Sequence, residues 1–366
     1  LHHFHQIALS KTNGIGPKLA KQLIAHCGSA EAVYKTKPDL LRRIPGIGSK
    51  TIKALKNVEG LHKAETELSF ADKNNIKVIS FLDEAYPKRL LHCDDGPLIL
   101  FQKGSLNLNH QRVISVVGTR NATSYGLDFC ERFIADLAQL NVIVVSGLAF
   151  GIDAKAHKAS LKYEVPTAGV LAHGLDRIYP KLHTNLAKEM VERGGAVLSE
   201  FTSGTNPDRE NFPKRNRIVA GLADAVVVVE AAKKGGALIT AEIANSYNRD
   251  VFALPGRVND TYAQGCNMLI KAHKAALISG VEDLDYLLGW RKEKIESTQP
   301  TLFVNLSAME TQFTNVFKTE GVECLPLSTL CSRIKLPLGT VLSTLMQLEL
   351  KGVIKGLPGK MYLIQR

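Results

Sequence analysis

The sequence lacks most of the signatures that would tie it to a familiar chemistry. No run approaches the ~20 apolar residues of a membrane helix, and the longest stretches, such as Ala225-Val226-Val227-Val228-Val229, have the length of a strand. No positively charged leader with an apolar segment and a small-residue cleavage site opens the chain, so a cytoplasmic protein is expected. Leu1 rather than Met stands first, with His2, His3 and His5 close behind, which leaves the true start open; no metal site is expected there. Cys27, Cys93, Cys130, Cys266, Cys324 and Cys331 are scattered and form no C-x-x-C pair, which argues against zinc and redox motifs. A P-loop G-x-x-x-x-G-K-[ST] is missing, and no paired-carboxylate or nucleophile-base array stands out. Neither catalysis nor a cofactor is therefore expected.

Negative charge is also in short supply. The chain of 366 residues carries 46 Lys and Arg against 35 Asp and Glu, a net charge of +11, which favours a polyanionic partner. Residues 1–75 are distinctly basic, with twelve Lys and Arg against six Asp and Glu. Single cores stop growing at roughly 250–300 residues, so two or three domains are expected.

Two segments in the first 60 residues resemble one another: Asn13-Gly14-Ile15-Gly16-Pro17-Lys18 and Ile44-Pro45-Gly46-Ile47-Gly48-Ser49-Lys50. Each sets Gly-Ile-Gly before a helical pattern, Leu19 to Ile24 and Thr51 to Leu55, which is how tandem helix-hairpin-helix motifs are written. The free amides at such helix starts can receive a phosphate; a structural or docking role fits the same pattern. Ile76–Ile79 and Leu98–Phe101 read as strands leading into the main domain. From Val113 the chain then alternates valine-rich strands (Val113–Val117, Val142–Val145, Thr167–Leu171, Ala196–Leu198, Ala225–Val229, Val251–Leu254) with helical stretches such as Gly126–Leu140 and Ala154–Leu161. Continuous apolar strands separated by helices predict a Rossmann-like, doubly wound parallel sheet buried on both faces. A polar, linker-like stretch follows. Helices at Leu327–Ile334 and Leu338–Leu348, then two strands around Pro358-Gly359, predict a winged helix. Its helix around Thr340–Gln347 is poor in Lys and Arg, so protein contact or packing suits it better than reading duplex DNA. The expected division is 1–70 helical, 71–285 core, 286–303 linker and 304–366 winged helix.

Ligands of such sheets sit beyond the carboxyl ends of the strands. There the sequence places Gly118, Thr119 and Arg120, the last suited to a two-pronged contact with phosphate. Ser146-Gly147-Leu148-Ala149-Phe150-Gly151-Ile152-Asp153 follows the next strand. Its spacing is not G-x-G-x-x-G, and no acid lies about 20 residues on to hold a ribose, so a nicotinamide cofactor is disfavoured. His157, His173 and His183 are too widely separated for a compact metal motif. Phe212-Pro213-Lys214-Arg215-Asn216-Arg217 joins three positive charges to an aromatic ring, a combination suited to phosphates with bases available for stacking. Gly235 and Gly236 open another helix and repeat the phosphate-cradle arrangement.

Together, Val117-Gly118-Thr119-Arg120, Ser146-Gly147-Leu148-Ala149 with Gly151-Ile152-Asp153, Phe212-Pro213 with Arg215-Asn216-Arg217-Ile218, and Leu254-Pro255-Gly256 resemble the DNA-processing protein A (DprA/Smf) family over essentially the whole chain. The resemblance implies single-stranded DNA binding, a homodimer formed through the core, and loading of RecA recombinase onto DNA taken up in natural transformation. By position it makes Arg120, Ser146, Gly147, Lys181, Arg215, Asn216 and Arg217 candidates for phosphate and base contacts. Gly235-Gly236, where many relatives have Ser-Gly, and Lys271-Ala272-His273-Lys274 depart from the pattern. Two rival readings exist. One is a nucleotide phosphoribohydrolase of the lysine-decarboxylase-like fold, whose P-G-G-x-G-T-x-x-E signature Gly235–Glu242 matches only in part. The other is a sensor of a free nucleotide.

Overall fold

The computed structural model describes residues 3–290, 306–320, 322–357 and 360–364. It separates into two compact units, Leu1–Trp290 and Arg291–Arg366. Most of the expected linker, from residue 291 on, lies outside the described residues. The helix Val281–Leu288 runs past the expected boundary at 285, because Val281 and Leu284 are buried against the sheet.

The sheet of the first unit comprises β1 (Lys77–Ser80), β2 (Ile99–Gly104), β3 (Val113–Val117), β4 (Ile143–Ser146), β5 (Thr167–Val170), β6 (Ala196–Ser199), β7 (Ala225–Val228), β8 (Asp250–Ala253) and β9 (Ala276–Leu277). Their spatial order is β1-β2-β6-β5-β4-β3-β7-β8-β9. From β6 to β9 every pairing is parallel. The first two strands extend the sheet instead as an antiparallel edge, β2 pairing with β6 and β1 with β2. The two-residue β9 gave no run long enough to be read as a strand.

Alternation along the strands fills a core on each face. Val113, Val117, Val145, Val226 and Val228 pack on the side of the helices Asn211–Leu222 and Gly236–Ser246. Ile114, Val116, Val144, Ala225 and Val227 meet the helices Ser124–Leu137 and Ile152–Lys162 on the other. Both faces being covered explains why these strands read as unbroken apolar runs. Chain order departs from β3 in both directions, toward β4 on one side and β7 on the other. The carboxyl end of β3 is therefore the switch point, where a doubly wound sheet opens a crevice.

The amino-terminal helices pack on the same unit. Gly14 and Gly46 take left-handed backbones (φ 79° and 83°) in the two hairpins, and Gly16 and Gly48 cap the helices Pro17–Cys27 and Ser49–Leu55. Glu67, buried on the helix Glu59–Lys73, accepts from the Ser203 amide (2.8 Å) and hydroxyl (2.5 Å), fastening these helices to the loop after β6.

The second unit packs the helices Ala308–Glu320, Leu327–Ile334 and Leu338–Leu350 around Phe313, Leu330, Val341 and Leu345. Strands β10 (Cys324–Pro326), β11 (Ile354–Leu357) and β12 (Met361–Ile364) form its sheet in the order β10-β12-β11. The β11–β12 hairpin is the expected wing; its tip, Pro358-Gly359, lies outside the described residues.

Candidate nucleic-acid interface

At the switch point a cleft of about 350 Å³ is bounded by the loops after β3, β4 and β7 and by the helix Asn211–Leu222. It gathers Gly118, Thr119, Arg120, Gly147, Phe212, Arg215, Asn216, Gly235 and Gly236, nine of the positions singled out from sequence. Lys214 and Arg217 line a separate cleft of about 630 Å³ with Lys11, Glu200 and Tyr247, against the amino-terminal helices. Lys181 is exposed on the short helical turn Lys181–His183 and lines neither cleft.

The loop carrying Arg120 is fixed by a carboxylate. Glu230, 5% exposed just past β7, accepts from the Thr123 amide (2.9 Å) and hydroxyl (2.5 Å), while its carbonyl receives the Thr119 amide (2.7 Å). Gly118 sits hard against Ile152, so a Cβ there would collide with that side chain. Arg120 itself is exposed, with its guanidinium 5.2 Å from the centre of the Phe212 ring. A cation placed over a ring can keep its N–H groups for an anion. Asn216, Gly236 and Lys234 line the same cleft, and Lys234, which is exposed, is not among the residues expected from the sequence.

Three expected contact residues face inward instead. Ser146 is fully buried, and its hydroxyl donates to the Val116 carbonyl (2.6 Å), joining β4 to β3. Arg215 is 6% exposed, with Nη1 donating to the Val170 carbonyl at the end of β5 and Nε to Asn216 Oδ1 (3.1 Å). Asp153 approaches it across Gly147, where a Cβ would strike both side chains. Burial pushes the Asp153 carboxyl above the ordinary range, opposed chiefly by the Arg215 charge. Arg217 forms an ion pair with Glu200 and also donates to the Asp95 carbonyl. These roles correct the reading of a single basic cluster. Successive helical residues turn by about 100°, so Arg215 points beneath the β4 loop, while the exposed Lys214 and the half-buried Arg217 line the other cleft. The signal was present, since Arg215 shares the i, i+3, i+4, i+7 stripe of Ile218, Val219 and Leu222, the buried face of the helix.

The histidines hold carbonyls. His157 Nε2 donates to the Gly147 carbonyl (2.6 Å) and its Nδ1 meets the Thr167 hydroxyl (2.7 Å). His183 Nδ1 lies 2.8 Å from the Leu148 carbonyl and His173 Nδ1 2.8 Å from that of Gly174. Glu242, the acid of the partial hydrolase signature, is exposed and paired with Lys274 at 2.7 Å rather than in the cleft.

The model of the family described as DNA recombination-mediator protein A matches residues 77–288, which include every element of this cleft. The chain belongs to that family. A SAM-like helix-hairpin-helix tandem matches residues 7–58 and a DprA winged helix domain residues 313–360, the two modules expected on either side of the core. Among relatives, Protein Smf of Escherichia coli is 36% identical over 81% of this chain and 79% of its own. Protein Smf of Synechocystis is 32% identical over 97% of both. The solved DprA of Streptococcus pneumoniae superposes with a TM-score of 0.67 at 32% identity, covering 78% of this chain and 97% of that one. DNA processing protein A of Helicobacter pylori, solved for its single-stranded DNA binding mode, gives 0.51 at 29% identity, covering 58% and 95%. Membership in the DNA recombination-mediator protein A family is thus carried by sequence and fold alike.

The buried charges make two predictions. Arg215→Ala strands Asp153 without its cation and should cost about 3 kcal/mol of stability, read by urea denaturation; a loss under about 1 kcal/mol contradicts the scaffold role given to Arg215. Burial lowers His157 to about 4, from 6.5 unfolded. The unfolded chain then binds the extra proton first, so this contribution is full above pH 6.5 and drains away as pH falls toward 4, by roughly 3 kcal/mol. His157→Gln should flatten that part of the stability profile, and equal slopes in mutant and wild type would count against it.

Proposed function

We propose that the chain is a single-stranded DNA-binding protein of DNA processing, one that grips phosphates at the carboxyl ends of β3, β4 and β7 without performing chemistry on them. The observation that carries this reading is Arg120, an exposed guanidinium braced on Phe212 and in no ion pair among the described residues, at the mouth of a cleft lined by the helix start Gly235-Gly236. Asp153, the carboxylate of that cleft, lies buried against the positive charge of Arg215, and Ser146 gives its hydroxyl to a backbone carbonyl. Such groups brace a site rather than attack a substrate. Lys234 supplies exposed charge in this cleft, and Lys214, exposed on the first turn of the helix Asn211–Leu222, supplies it in the separate cleft that the same helix borders. That arrangement suits a polymer more than a single nucleotide, because a strand spanning both contacts gains from several phosphates at once.

The single-stranded DNA binding of the Helicobacter pylori relative supports the same substrate class. On this reading the protein works in the cytoplasm as a homodimer formed through the core. It protects incoming single strands and passes them to RecA recombinase during natural transformation and homologous recombination. Lys181, exposed on the short turn Lys181–His183, is an outlying contact on this reading.

Fluorescence anisotropy with single-stranded oligonucleotides tests the reading. Arg120→Ala should weaken binding about tenfold or more. Lys234→Ala and Lys214→Ala should each lower the slope of log affinity against log salt by about 0.7, the value for one phosphate on a single strand. Unchanged affinity in Arg120→Ala would remove the site from this cleft.

A further inference from the structure

Beside the phosphate cleft lies a smaller cavity of about 60 Å³, and the two share Arg120, Ala149, Phe212 and Arg215 in their walls. The smaller one is rimmed by rings. Phe150 is 43% exposed and Tyr179 48% exposed, and Tyr179 stands 6.4 Å from Phe212, centre to centre. Large exposed rings grouped at one opening are what base-stacking surfaces offer, because every base presents a π-face.

His173 also lines this cavity, 1% exposed, and its Nε2 is buried without a partner among the described residues. The orientation of its proton follows from its neighbour. Nδ1 faces the Gly174 carbonyl at 2.8 Å, and a carbonyl only accepts, so Nδ1 carries the hydrogen. Burial holds the imidazole below its ordinary pKa, hence neutral, with the Nε2 lone pair bare. A bare buried acceptor calls for a donor. A phosphate oxygen cannot provide one. The Watson–Crick edge of every base can, through the ring N–H of thymine or guanine or the exocyclic amines of adenine and cytosine.

We propose that this cavity is a base-reading subsite: a nucleotide whose phosphate lies on Arg120 stacks its base on the Phe150 and Tyr179 rim and donates an N–H from its edge to His173 Nε2. The inference rests on the single-strand reading above and adds to it a direct readout of one base. The cavity volume is smaller than a whole base, so the edge enters and the face remains on the rim. No bond is made or broken.

Three chains of equal length separate the possibilities on the full protein by anisotropy: oligothymidylate, the same oligomer methylated at thymine N3, and an abasic deoxyribose-phosphate chain. The expected result is tightest binding by oligothymidylate, about tenfold weaker binding by the abasic chain, and a several-fold loss on N3 methylation, which removes the donor without touching the protein. In His173→Phe the difference between thymine and N3-methylthymine should vanish while the abasic chain binds as before. Equal binding of thymine and N3-methylthymine chains by the wild type overturns the assignment of His173, whose nitrogen is then met by solvent. Equal binding of the abasic chain overturns the subsite altogether. Binding of none of the three overturns the single-strand reading itself, and this proposal with it.

Discussion

The interior of the site depends on one buried cation. Arg215 reaches from the helix Asn211–Leu222 under the β4 loop to the Val170 carbonyl, with Asp153 in attendance across Gly147. A guanidinium in that position would be costly if its donors were idle. Here it ties the ends of β4 and β5 to the helix that supplies Phe212, Lys214 and Asn216. Gly147 is glycine because two charged side chains occupy the space of its Cβ, and His157 secures the same residue from the other side through its carbonyl. Glu230 performs the matching task for the β3 loop, by way of Thr119 and Thr123. The exposed groups can then stand at fixed positions, which is the condition under which a charged contact contributes to binding rather than to side-chain entropy.

Much of this was legible in the sequence. Valine-rich runs at 113–117 and 225–228 announced buried parallel strands, and the alternation with helices placed Gly118–Arg120, Gly147 and Gly235-Gly236 at one edge. Short elements escaped: β9 has two residues and β10 three, too few for any periodicity. The antiparallel edge escaped because a strand's residues do not say which neighbour it will pair with. The division of labour among Lys214, Arg215 and Arg217 was hidden by their shared charge, although the apolar stripe of the helix held the answer for Arg215. Ser146 looked like a ligand group because its partner, the Val116 carbonyl, is backbone and leaves no trace in side-chain patterns.

A division between brace and grip follows. Arg215 and Arg217 are met by acids and backbone carbonyls and Glu230 by the amide and hydroxyl of Thr123, while the exposed charges at the mouth are left to an external anion. In family terms, the DNA recombination-mediator protein A core matched over 77–288 holds both sets, while the helix-hairpin-helix and winged-helix modules add surfaces of their own.

Amide hydrogen exchange, with and without a single-stranded oligonucleotide, tests the central claim most directly. The account predicts slowed exchange at 118–123 and 232–238, two segments that line the cleft, with little change in the buried strands. Protection confined to the helices of residues 4–73 or to the winged helix, with these loops unaffected, would contradict it.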